Sequence, residues 1–188
     1  MKGYDVKIRL DDFRPLTWRD LIIPENITFK DLDNIIKILY GFYGYHLSAF
    51  SFKNTDLEIV DLSQDLFHMN EVKDMNTTLI DEYFQKENKI YYEYDFGDGW
   101  SFTIEIKKIV DYDNDYPLLK RFKGDYNPVE DCGGVYGLEL LLYYKDHPEE
   151  ATDIFSDHLE YLEKFDIEDT QEKLKEYKTV DDDFIDLI

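Results

Sequence analysis

The feature that most constrains this chain is a pair of alternating runs on either side of Asp98-Gly99. Ile90, Tyr92, Tyr94 and Phe96 alternate with Tyr91, Glu93 and Asp95, and the alternation resumes with Trp100, Phe102, Ile104 and Ile106. Period-two patterning marks strands with one buried face. Asp-Gly between two such runs suits a tight type I′ turn, which needs positive φ at both central residues. A long hairpin over residues 89–110 is predicted.

Tyr4, Val6, Ile8 and Leu10 alternate with Asp5, Lys7 and Arg9 in the same way, and Arg14-Pro15 then forces a break before a second strand, Leu16 to Ile23, that pairs with the first. Thr28 suits a helix N-cap, and Leu32, Ile35, Ile36 and Leu39 recur at helical spacing until Gly41. Leu47 to Phe52 and Leu57 to Val60 read as short strands, residues 61–76 as loop, and Thr77 to Gln85 as a short helix. Residues 111–134 contain Pro117 and Pro128 and read as a long loop. Helices follow: one ending near His147-Pro148, one through Ile154, Phe155 and Leu159, and one from Asp166 with Leu174 and Tyr177 on its buried side.

The expected fold is α+β: a mixed or antiparallel sheet with the long hairpin, packed against the helix at 28–40 and the C-terminal helices. At 188 residues, with 16 Tyr, 13 Phe and two Trp, the chain can bury one core, so 1–188 is read as a single domain with an acidic helical part at 136–188. The 43 acidic and 21 basic side chains leave a formal charge of -22, most of it C-terminal: -6 over residues 1–94 and -16 over 95–188. Such a field opposes direct binding to nucleic-acid phosphates or anionic membranes. A single cysteine, Cys132, excludes a disulfide framework and multi-cysteine metal sites and suits a reducing compartment. With no secretory pattern at Met1–Leu10 and no long apolar run, a cytoplasmic location is expected.

Five residues suggest chemistry. Asp95, Asp98, Glu130, Asp131 and His46 would form a pocket in which Asp98, Glu130 and Asp131 hold Mg²⁺ or Mn²⁺ and activate water for phosphodiester cleavage. A structural reading of the same residues stands beside it. Asp98-Gly99 is then turn chemistry, Asp95 points outward from a strand, Glu130-Asp131 cap the following helix at the Gly133-Gly134 bend, and His46 is a structural donor. Candidate binding residues are Arg19, Trp100 and the small basic patch Lys120, Arg121 and Lys123, with Trp18 and Trp100 also suited to the core. Cys132 has no adjacent His or Lys to lower its pKa and is not read as a nucleophile.

The order of several motifs resembles a known family. These are Pro15 with Trp18-Arg19, the helix ending in Gly41, His46-Leu47 with Phe50, Tyr94-Asp95-Phe96-Gly97-Asp98-Gly99-Trp100, and Pro128, Glu130-Asp131, Gly133-Gly134 and Gly137. Together they resemble the agrobacterial Ri-plasmid ORF-three-like family, whose members often carry an insertion-element passenger or resolvase-like label. The resemblance implies a compact α+β domain associated with plasmids and other mobile DNA. A serine recombinase needs several phosphate-binding arginines, and this chain has only Arg9, Arg14, Arg19 and Arg121. The chain departs from the family pattern at Asp20, at Phe102 and Asp33 where relatives carry His, and at Asn127 before Pro128-Val129.

Two functions follow from these features. The charge favours a non-enzymatic accessory or interaction module of mobile DNA that needs no cofactor and docks on a basic protein, such as a nucleic-acid enzyme. Residues 146–188 hold 16 acidic and four basic side chains and could mimic phosphates, as anti-CRISPR-like inhibitors do. The alternative is a Mg²⁺- or Mn²⁺-dependent hydrolase or nuclease at the acidic cluster. A third reading, a small-molecule-binding module, would require a cavity with a few inward polar groups.

Overall fold

The two runs around Asp98 form the central hairpin in a computed structural model that describes residues 1–64 and 71–179. Its strands, β6 (Lys89–Tyr94) and β7 (Trp100–Asp111), pair antiparallel from Lys89↔Glu105 to Tyr94↔Trp100. Ile90, Tyr92, Tyr94, Trp100, Phe102 and Ile104 all bury their side chains. The other strands are β1 (Lys2–Leu10), β2 (Trp18–Pro24), β3 (Ser48–Ser51), β4 (Leu57–Val60), β5 (Glu71–Asp74) and β8 (Leu118–Lys123). They complete one sheet in the order β5-β4-β3-β6-β7-β1-β2-β8, antiparallel except for the β4–β5 pair.

Helix α1 (Phe29–Tyr40) covers the sheet. Thr28 Oγ1 accepts from the Asp31 N–H at 3.1 Å and the Asp31 carboxylate accepts from the Thr28 N–H at 2.9 Å, a reciprocal cap that fixes the helix start. Gly41, at φ 75°, ends it in the left-handed conformation that glycine adopts most readily. Leu32, Ile35, Ile36 and Leu39 are fully buried, each contributing on the order of 1.5–3 kcal/mol of hydrophobic stabilisation. The remaining helices are α2 (Asp81–Phe84), α3 (Gly134–Asp146), α4 (Asp153–Leu159) and α5 (Ile167–Leu174). Leu174 and Tyr177 are buried as their spacing predicts. The Gln171 side chain ties α5 to β8, accepting from the Leu119 N–H and donating to the Pro117 carbonyl.

The mixed α+β architecture, the paired N-terminal strands, the Thr28 and Gly41 caps of α1 and the pairing of the hairpin strands agree with expectation. Four segments differ. The hairpin turn is a five-residue loop, Asp95 to Gly99, with positive φ at Asp95 (55°) and Gly99 (68°) but not at Asp98. Asp95 drives this geometry, because its Oδ1 accepts from the N–H groups of Gly97 and Asp98 while its carbonyl accepts from the Gly99 N–H. Strand β5 lies where a loop was expected over 61–76, and β8 lies within the expected loop 111–134. Both are sheet-edge strands without a continuous apolar face, so neither produces a period-two signal. The helix expected over 77–85 shortens to Asp81–Phe84. Residues 65–70 of the expected loop, and 180–188 of the acidic C-terminal part, lie outside the described residues.

Candidate metal centre at three converging loops

Three loops meet at one end of the hairpin: the segment after α1, the Asp95–Gly99 turn, and the segment leading into α3. Phe42 anchors the first by packing against the Tyr94 ring at 4.4 Å and the Trp100 ring at 5.8 Å, which leaves Tyr43 to His46 running across the site. The second and third loops touch directly. Asp98 Oδ2 accepts from the Gly133 N–H at 3.1 Å, and a Cβ on Gly134 would lie 2.2 Å from the Asp98 carbonyl oxygen, a space open only to glycine.

This convergence brings His46, Asp95 and Asp131 together. His46 Nε2 lies 3.5 Å from Asp95 Oδ2 and 3.3 Å from Asp131 Oδ1, and all three ligand atoms fall within 4.8 Å of one another. Nε2 is shielded from solvent yet makes no aligned hydrogen bond. Ligands bound at about 2.0–2.2 Å to one ion lie roughly 3–3.6 Å apart, the spacing seen around the imidazole nitrogen. Asp95 and Asp131 hold positive φ, 55° and 57°, which costs each on the order of 1–2 kcal/mol but which Asp tolerates better than most residues. Asp95 is buried, whereas the Asp131 side chain is 59% exposed, leaving one side of the group open to solvent.

Glu130 is the hub of the supporting network. Its Oε1 accepts from the Tyr43 N–H at 2.8 Å and from the Tyr94 hydroxyl at 2.7 Å, while that hydroxyl accepts from the Gly44 N–H at 3.1 Å and lies 3.4 Å from the His46 N–H. Burial, and then the Glu130 carboxylate, hold the Tyr94 phenol far above its ordinary pKa, so it remains a donor. Tyr45 donates to Asp131 Oδ2 at 3.1 Å. These tyrosines were missed at the sequence level because Tyr94 belongs to the core alternation. The one available signal was the aromatic run Tyr43-Gly44-Tyr45 leading into His46.

The expected ligand set Asp98, Glu130 and Asp131 is therefore not the one that converges. Of these only Asp131 joins the group, while Asp98 holds Gly133 and Glu130 holds Tyr43 and Tyr94. Asp95 does not point outward from a strand, and the N-cap of α3 is Gly133 with no side-chain cap bond, so Glu130-Asp131 do not cap it. Burial, helped by Asp98, pushes the Cys132 thiol up to about 12, in keeping with its non-nucleophilic reading.

The candidate binding residues lie elsewhere. Trp100 is fully buried in the core, and Trp18 lies half-buried under Lys7. Arg19 is also fully buried, its guanidinium 3.6 Å from the Phe165 ring centre, donating to the carbonyls of Trp18, Leu39 and Lys123 and to Asn127 Oδ1. Burial lowers its pKa only to about 10, so it stays charged and fastens β2, α1 and β8 to the loop before Glu130. Lys120 pairs with Asp5 at 2.6 Å and Arg121 with Asp20 at 2.5 Å, which neutralises most of the expected basic patch; Lys123 is exposed. Phe102 lies in the core against Tyr40, so the departure from His at that position does not touch the His46 group.

Fold and site define a single-sheet α+β domain that presents a histidine and two carboxylates at the junction of three loops. Residues 2–173 match the family model for plasmid pRiA4b ORF-3-like proteins, and the chain belongs to that family, as its motifs suggested. It is 25% identical over 135 residues to the uncharacterized protein y4hQ of Sinorhizobium fredii (strain NBRC 101917 / NGR234), covering 71% of this chain and 68% of that one. The crystal structure of MM3350, a protein of unknown function from Methanosarcina mazei Go1, is similar at a TM-score of 0.71 and 27% identity, covering 89% of this chain and 96% of that chain. No helix among the described residues is long and apolar enough to cross a membrane.

Proposed function

We propose that this chain is a divalent-metal-dependent hydrolase centred on His46, Asp95 and Asp131. The observation that carries this reading is the His46 imidazole nitrogen, which faces two carboxylates at ligand spacing and makes no aligned hydrogen bond. Three protein donors with one open side is the arrangement typical of catalytic rather than structural ions. An imidazole beside two carboxylates suits Mn²⁺, Fe²⁺ or Zn²⁺ better than Mg²⁺. Such an ion would lower the pKa of water at the open side and polarise a substrate carbonyl or phosphoryl oxygen. The chain itself positions the donors: the turn around Asp95, the Tyr94–Glu130 bond that fixes the His46 loop, and the Tyr45 hydroxyl on Asp131.

The test is titration of the EDTA-stripped chain with Mn²⁺ and Zn²⁺ by calorimetry, followed by hydrolysis assays on aryl phosphodiester, ester and amide substrates. About one ion per chain is expected, with binding and turnover lost together in Asp95→Asn, Asp131→Asn and His46→Gln. Asn tolerates positive φ, so the first two variants keep the backbone. Specific ion uptake unchanged by all three variants would overturn the proposal.

A second reading, the acidic interaction module, draws on α4 and the turn before it. Glu149, Glu150, Asp153, Asp157 and Glu160 are all exposed there, and α4 buries none of its residues. Pooled neutralisation of these five acids would abolish capture of a basic partner under this reading and leave hydrolysis intact under the first.

A further inference from the structure

Beside the metal group opens a cleft of about 300 Å³, at the lower end of the size range for small-ligand sites. The loop after α1 supplies one wall with Tyr43 and Tyr45, whose rings lie parallel within 6° at 6.2 Å. The segment between α4 and α5 supplies the facing wall with Tyr161 and Glu163. That wall is fastened to the floor, since the Glu163 carbonyl accepts from the Asn127 N–H at 3.1 Å and Lys164 bridges to Tyr126. Tyr43, Tyr45 and Tyr161 are 49%, 51% and 60% exposed, a concentration of aromatic surface that the core does not use.

The charge of the cleft is one-sided. Glu130, Asp131 and Glu163 line it, no lysine or arginine is among its described lining residues, and the imidazole of His158, whose Nδ1 lies 2.8 Å from the Ile154 carbonyl oxygen, is the one basic side chain there. Glu130 is only 7% exposed; its Oε1 has two donors, whereas its Oε2 makes no aligned hydrogen bond among the described residues, although the Tyr45 hydroxyl, which donates to Asp131, also faces this carboxylate. A buried carboxylate oxygen without a donor is costly, and a ligand bringing both a donor and a positive charge would relieve that cost. Aromatic faces attract the same ligand through their quadrupoles, most strongly where water is excluded. Phosphates and nucleic acids carry the same sign of charge as the cleft and are repelled by it.

We propose that this cleft binds a small organic cation, an ammonium or guanidinium on a short alkyl chain, with its charged end at Glu130 and its alkyl part between Tyr43, Tyr45 and Tyr161. As a binding site it stands independently of the metal; as the substrate class it rests on the hydrolase reading, and it directs the search away from nucleic acids toward amine- or guanidine-bearing esters and amides.

The experiment is calorimetric titration of the full chain in EDTA with butylammonium and butylguanidinium, with butyrate and inorganic phosphate as controls. Saturable binding of a cation at least ~10-fold tighter than either anion is expected, the stronger of the two cations identifying the headgroup. Glu163→Gln and Tyr161→Leu, both at exposed wall positions, should each weaken it by roughly threefold to tenfold, and Glu130→Gln by more. Glu130→Gln also alters the support of Tyr94, so the wall variants decide if it fails to fold. Cation binding no tighter than that of butyrate, or unchanged in the Glu163→Gln, Tyr161→Leu double variant, would overturn the proposal. Since EDTA removes any ion, failure here leaves the metal reading intact, while failure of Asp95→Asn to lose metal binding leaves the cleft intact.

Discussion

The Tyr94 hydroxyl donates to Glu130 Oε1 at 2.7 Å, and this bond joins the central hairpin to the glycine-flanked loop. The same oxygen accepts from Gly44 and lies within reach of the His46 N–H, so a core strand sets the position of the proposed imidazole ligand. Tyr94→Phe should destabilise the fold by about 1–3 kcal/mol, because it leaves buried polar groups without a partner. It should also weaken Mn²⁺ binding by roughly 10–100-fold, the usual consequence of losing an outer-shell support. Urea unfolding and metal titration of the same variant measure both; lost stability with unchanged metal affinity would confine Tyr94 to a folding role.

Gly134→Ala is expected to be severely destabilising. The new methyl would lie 2.2 Å from the Asp98 carbonyl oxygen at a φ of 66°, so a backbone clash adds to a conformational cost of about 1–2 kcal/mol. The midpoint of urea denaturation reports the total. A shift no larger than that of Gly99→Ala, at a position of similar φ with nothing within 4 Å, would mean that the contact between the two loops carries no energy.

How much of this was legible beforehand follows from the range of each interaction. The Thr28–Asp31 cap, the Gly41 helix end and the β6–β7 alternation are local, and each is written in consecutive residues. Strands β5 and β8 are edge strands specified by the neighbours they pair with, so their sequences carry no apolar period. Among the site residues, Asp95, Asp131 and His46 could be chosen by type. Their grouping needed the sheet order, which brings together residues such as Tyr45 and Asp131 that lie 86 positions apart. Asp98 was indistinguishable from a ligand until its hydrogen bond to Gly133 was seen.

Cys132 should resist thiol reagents. It is buried, with its pKa pushed up to about 12 by burial and by Asp98, so almost no thiolate is present near neutral pH. Reaction with an aromatic disulfide reagent at pH 8 should be far slower in the native chain than in urea. Equal rates would show that the loop before α3 opens freely and would argue against a preorganised Asp131.

The last prediction concerns acid. Asp33 lies on the buried face of α1, where Oδ1 accepts from Ser48 and Tyr92 at 2.7 Å each and Oδ2 pairs with Lys37, one turn on, at 2.8 Å. Burial alone would raise its pKa, but the Lys37 charge and hydrogen bond, the Tyr92 hydrogen bond and the Lys30 charge together outweigh it and hold the carboxyl below its ordinary value. A depressed folded pKa means that the unfolded chain binds the proton first. The associated stability is therefore fully present above the unfolded value of about 3.9 and is lost as pH falls through the lower folded value. Relief of repulsion among the many surface carboxylates acts in the opposite direction, so the informative quantity is the difference between wild type and Asp33→Asn in urea unfolding from pH 6 to 2.5. At pH 6 the variant should be less stable by about 3–5 kcal/mol, because Lys37 is left without its charge partner. The gap should close as pH falls below about 4, and a gap independent of pH would mean that Asp33 is already neutral in the folded chain.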